Sequence, residues 1–227
     1  MAKQLKLGRR SALSGLFALL AGFLAGGRAL IRPSIAGEAE IGKVAKLRGA
    51  AFLQRDSARA PLEVGKALHA QDLIITMADA RAKLSFIDGS TVTLSEFSKL
   101  TLDQFAFDPN AANRDAAMTL ETGILRAIVA KVAAGSRFEV ATGTAVAGVR
   151  STDWIIQTEG SRTQVYVIEG AVDVADRGNS MRSLPSIAQE DRVILKAGRV
   201  ARLDGGKPVA AAWDQGKLDD LIAQTDL

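Results

Sequence analysis

The residues able to do chemistry are few. His69 is the only histidine and there is no cysteine, so thiolate nucleophiles, disulfides and cysteine-based zinc or iron–sulfur sites are excluded. A serine triad needs a histidine base beside an oriented acid, and Leu68-His69-Ala70 has no Gly-x-Ser-x-Gly partner in the chain. Asp88, Asp103, Asp153 and Asp173 fall at turns or on strand faces, without the spacing of a calcium loop. Hydrolysis by two carboxylates asks only for a pair of acids across a cleft, and no paired signature singles one out. Gly143 to Gly148 has the glycine spacing of a P-loop, but Val149-Arg150 stands where Lys and Ser/Thr would reach phosphate and magnesium. Close strand packing explains those glycines better. The sequence therefore gives no catalytic, cofactor or metal-binding residue.

One stretch stands out instead: Ala147, Gly148, Val149, Arg150, Thr152, Asp153 and Trp154. It reads as a structural motif or as a recognition surface. Gly148 is expected at positive φ in a tight bend. Arg150 and Asp153, three apart, are expected to form a salt bridge and turn cap that fix the bend; the alternative is an exposed recognition pair. Trp154 is expected in the core.

Short alternating runs must position this stretch. Ala82 to Phe86, Val92 to Leu94, Lys99 to Asp103, Thr163 to Ile168, Val172 to Val174, Val193 to Leu195 and Val200 to Leu203 read as strands. Asp88-Gly89, Glu169-Gly170 and Lys196-Ala197-Gly198-Arg199 read as hairpin turns between them, because glycine supplies the positive φ such turns need. Leu125 to Val132 fits a helix or a strand. Asp108 to Asn113 reads as a loop and the seam between two halves. Lys217 to Gln224 fits a short amphipathic helix. Two segments match at a constant offset of 81 residues: 72–75 with 153–156 and 81–89 with 162–170. Stacking such units would bury a shared core, with Ile74 matching Ile155, Phe86 matching Val167 and Arg81 matching Arg162. Binding would then fall on unmatched residues: 108–116, 178–190 and the end beyond Trp213.

Residues 1–36 read as a secretory signal: Lys3, Lys6, Arg9 and Arg10, then the apolar run Ala12 to Leu24, then small residues ahead of a site at Ser34-Ile35-Ala36. Arg9-Arg10 resembles a twin-arginine export signal. The segment is either cleaved or kept as an anchor, the only expected membrane contact. Without its six cations the formal charge of +4 falls to −2, which argues against nucleic acid as a partner. The expected division is residues 1–36 signal, 37–210 all-β domain and 211–227 tail or short helix.

Ile41 to Val44, Leu47 to Ala51, Pro61 to Gly65, Asp72 to Thr76 and Phe86 to Leu94 resemble, in order and spacing, the FecR domain family. The strongest stretch is Phe138 to Thr142 followed by Thr144 to Trp154, with Ser151 and Gly143 as departures from the pattern. The resemblance covers about residues 41–206 and implies a periplasmic β-solenoid-like domain. Family members of this kind carry a cytoplasmic anti-sigma domain and a last subdomain that binds an outer-membrane receptor. Here about ten residues precede the apolar run and Trp213 to Leu218 resembles the opening of that last subdomain, so neither arm is expected. The expected function is a non-enzymatic periplasmic binding or adaptor module for a protein partner or envelope polymer. The alternatives are a regulatory component of envelope or iron-responsive signalling, acting through a separate membrane protein, and a periplasmic hydrolase.

Overall fold

The computed structural model describes residues 39–177, 191–204 and 206–227. The proposed signal segment and the unmatched segment 178–190 lie outside them. Seventeen strands and one helix fall into two sheets that share one strand. In sheet I the order is β4 (Ala67–Leu68), β1 (Gly42–Arg48), β6 (Arg81–Phe86), β7 (Thr91–Leu94), the second half of β9 (Asn113–Ile128), β12 (Asp153–Glu159), β13 (Arg162–Glu169), β16 (Arg199–Leu203) and β17 (Val209–Ala212). In sheet II it is β3 (Ala58–Pro61), β2 (Ala51–Arg55), β5 (Leu73–Thr76), β8 (Lys99–Asp108), the first half of β9, β10 (Arg137–Ala141), β11 (Ala145–Val149), β14 (Ala171–Asp176) and β15 (Arg192–Lys196). All pairings are antiparallel except β9 with β10.

Period-two alternation explains the layering. Successive side chains of a strand face opposite ways, and β6 alternates half-buried and buried along its whole length. The inward residues of both sheets, among them Leu53, Ile74, Leu84, Leu100, Met118, Leu125, Val140, Trp154 and Val174, form one continuous core. Among the described residues the fold is all-β with a single short helix, α1 (Gln215–Thr225), which Asp214 caps by accepting from the Lys217 N–H at 2.9 Å. Leu218 and Leu221 of α1 close a second, smaller core on the outer face of sheet I with Ile124, Ile155, Tyr166 and Val200.

Several expectations change. Residues 125–128 are strand, completing β9. The loop Asp108 to Asn113 is a tight turn joining β8 to β9 and is no seam; the two parts of the chain join along β9, which belongs to both sheets. Residues 113–116 are not a binding loop, since Arg114 and Ala116 are buried in β9. Asp88-Gly89 does turn a hairpin, β6 to β7. Glu169-Gly170 and Lys196 to Arg199 instead carry the chain from one sheet to the other. Positive φ at Gly170 (+87°) and Gly198 (+83°) suits a corner as well as a hairpin.

The 81-residue match holds only in part. Ala82, Leu84 and Phe86 face inward, as do Thr163, Val165 and Val167. Upstream the match breaks: β5 and β6 lie in different sheets, whereas β12 and β13 pair as a hairpin. Ile74 therefore sits in the main core and Ile155 under the helix.

Candidate recognition cleft on sheet II

Four neighbouring strands build a cleft on the outer face of sheet II. The register sets Glu139 of β10 opposite Gly148 of β11, Gly148 opposite Asp173 of β14, and Asp173 opposite Ile194 of β15. Because side chains alternate, Phe138, Val140, Ala147, Val149, Val172 and Val174 then point into the core, leaving the Glu139–Gly148–Asp173–Ile194 row outward. The glycine has no side chain, so the row dips at its middle. The resulting cleft has a volume of about 630 Å³ and is lined also by Ser136, Arg150, Ser151 and Thr152.

The floor is charged on both sides of the glycine. Arg137 donates to Glu139 Oε2 at 3.3 Å and to Asp115. Its hydrogen bond to Asp115 raises the guanidinium pKa further, so it stays a fixed cation. Arg192 donates to Asp173 Oδ2 at 3.1 Å, while Asp173 Oδ1 is buried without a hydrogen bond. Glu139 is only 6% exposed. Each carboxylate is thus engaged by a guanidinium, an arrangement suited to polar recognition.

The turn at Arg150 to Thr152, which lines the cleft, is held from three sides. Thr152 Oγ1 donates to the Ala171 carbonyl at 3.0 Å, and the Thr152 carbonyl accepts from Val129 N–H at 3.0 Å. Gly170 lets the turn approach: a Cβ there would stand 2.7 Å from the Ser151 carbonyl oxygen. From below, Arg114 donates to the Arg150 carbonyl at 3.5 Å. Arg114 also bonds Asp88, with both side chains fully buried, and donates to Ser90 Oγ and the Ala130 carbonyl.

Of the stretch singled out in the sequence, Gly148, Val149, Arg150 and Thr152 line the cleft. Ala147 and Trp154 are core residues. Asp153 begins β12 on sheet I. The expected Arg150–Asp153 bridge is not made: Asp153 takes a two-pronged bond from Arg126 at 2.9 and 2.7 Å, and Arg150 is exposed. Strand pairing brings Arg126 opposite Ile155 in the adjacent strand, a closeness that sequence separation conceals. The expected bend at Gly148 is also absent. Gly148 is a paired mid-strand residue and is not among the positive-φ glycines, so a Gly148→Val change carries none of the backbone strain the sequence implied. Sequence reasoning missed Arg137, Glu139, Arg192 and Ile194 as surface partners. Their phase against Phe138, Val140 and Leu195 was readable; the pairing of β11 with β14 was not.

Among the described residues no group of three or more His, Asp or Glu could hold a metal ion, and no helix is long and apolar enough to cross a membrane.

Residues 72–173 match the family model described as FecR protein. Two crystal structures of a candidate anti-sigma factor from Parabacteroides distasonis ATCC 8503 are similar. One, at 1.65 Å resolution, has a TM-score of 0.50 and 18% identity, covering 66% of this chain and 64% of that chain. The other, at 2.50 Å, has a TM-score of 0.49 and 17% identity, covering 66% and 63%. No curated protein matches.

Proposed function

Since the chain carries a FecR domain across residues 72–173, we propose that it is a regulatory signalling module that works by binding a protein partner through the cleft on sheet II. The observation that carries this reading is the convergence of Gly148, Arg150 and Thr152, from the stretch that most resembles the family, on one charged cleft. The likeness to the anti-sigma factor supports regulation through protein contact. An adaptor role rests on the same cleft and differs only in what the partner does next.

The reading is non-enzymatic. Glu139 and Asp173 are each engaged by a guanidinium, so neither stands as a free acid in the cleft for the hydrolase alternative. The signal-like residues 1–36 support a periplasmic site of action, reached by export through the twin-arginine or the general route. A solenoid-like reading is supported by strands that, apart from β3 and β4, step along both sheets in one direction, and a reading as two related halves rests on the likeness of β6 to β13.

Affinity capture tests the reading. The wild-type chain should retain one stoichiometric partner from envelope extracts. Gly148→Trp, which fills the dip between Glu139 and Asp173, should lose it while melting at the same temperature. A partner retained by Gly148→Trp would place recognition elsewhere.

A further inference from the structure

Five charged residues line the cleft, and four of them answer one another: Arg137 binds Glu139, and Arg192 binds Asp173. The fifth is Arg150. Its side chain is exposed and makes no hydrogen bond or ion pair among the described residues. Its backbone, by contrast, is fixed. Val149, just before it, pairs with both β10 and β14. The Arg150 carbonyl accepts from the buried Arg114 at 3.5 Å, and Thr152, two residues on, is bonded to Ala171 and Val129. A held backbone thus carries a free guanidinium. Lys196 adds a second cation of this kind. Leu195 faces the core, so Lys196 faces outward by alternation, opposite Ala171 of the cleft lining. It too is exposed and unpaired among the described residues. Glu169, at the corner leading into β14, does not line the cleft.

We infer that Arg150 is the specificity-determining residue of the cleft, and that it takes one carboxylate, an Asp or Glu side chain presented by the protein partner, with Lys196 reinforcing the attraction. This rests on the cleft being the recognition surface. A guanidinium offers two parallel N–H donors that match a carboxylate, and one whose backbone is already held loses less freedom on binding. The paired acids select the occupant. A basic partner is disfavoured, because both lining carboxylates are already taken by guanidinium groups. A continuous anionic surface, such as lipid headgroups or an acidic polysaccharide, would also face Asp173, whose side chain is 29% exposed, and Asp115, 44% exposed beside Arg137. Like charges so placed repel. A single carboxylate needs only Arg150.

The test uses the full chain in cells, with the photo-crosslinker p-benzoylphenylalanine in place of Ile194 in the cleft lining, in wild-type, Arg150→Lys, Arg150→Gln and Arg150→Glu backgrounds. The expected result is a discrete adduct with a different protein. Arg150→Lys should keep most of it, Arg150→Gln should reduce it by about tenfold, and Arg150→Glu by more, as loss and reversal of an interfacial charge do. In the cross-linked peptide of that protein, changing one Asp or Glu to Arg should restore the adduct with Arg150→Glu. Because the Arg150 side chain bonds nothing in the fold, the purified variants should melt with wild type. An adduct indifferent to Arg150→Glu, an adduct with lipid, glycan or a second copy, the absence of a restoring charge swap, or an Arg150 variant that melts lower would each overturn the inference. An adduct lost with Gly148→Trp but kept with Arg150→Glu would overturn this inference and leave the cleft reading standing. No adduct, or one that resists Gly148→Trp, would overturn both.

Discussion

The least expected residue is Arg114. The sequence places it just after a loop, and Asp88 in a turn 26 positions earlier, with nothing to link them. In the fold both are fully buried and ion-paired, and the guanidinium lies 5.1 Å from the centre of the Phe138 ring. A buried pair gives little net stability, but removing one partner strands the other's charge. Arg114→Met should therefore lower unfolding free energy by about 3–5 kcal/mol in urea titrations. Arg114→Met combined with Asp88→Asn should recover part of that, since asparagine can still accept the Ser90 N–H that Asp88 holds at 2.9 Å. Asp103 gives a pH signature. Burial raises its pKa above the ordinary 3.8, outweighing the Thr119 hydrogen bond. The folded state thus holds this proton to higher pH than the unfolded chain, so this residue's contribution to stability falls as pH rises from 3.8 through the raised value. Asp103→Asn should melt higher than wild type at pH 7, with the gain disappearing on acidification below about pH 4. An equal gain at both pH values would show the effect is not ionisation.

At the scale of elements, the strands were legible and their partners were not. Alternation places the inward and outward residues of β6, of β13 and of β8 up to Asp103, and the amphipathic run at 217–224 lies within α1. Whether a glycine turn closes a hairpin or carries the chain to the facing sheet depends on long-range pairing, so two of the three expected hairpins were corners. The same limit hid the cleft, which needs β11 beside β14 across two intervening strands. β9 shows how much a single position can decide. It crosses from sheet II to sheet I at Gly123, whose φ of +101° and tight contact with Ser98 leave no room for a side chain. Gly123→Ala should destabilise by roughly 1–3 kcal/mol from conformation alone, and by more once Ser98 is displaced. Thermal melting would show it, and a melting temperature within error of wild type would mean β9 can cross between the sheets without the glycine.

For the whole molecule, one core runs between both sheets from β1 to β16, so the two parts of the sequence cannot be separated without cutting through β9. On the proposed function, recognition falls to surfaces the core does not use, and the sheet II cleft is the one that the family-like stretch lines. Side-chain footprinting of the protein bound to its partner tests this most directly. Ile194, 60% exposed, ends the cleft row, and Val64, 62% exposed, does not line the cleft. The two should label comparably in the free protein. On binding, labelling of Ile194 should fall sharply while Val64 is unchanged. Undiminished labelling of Ile194 in a saturated complex would contradict the account.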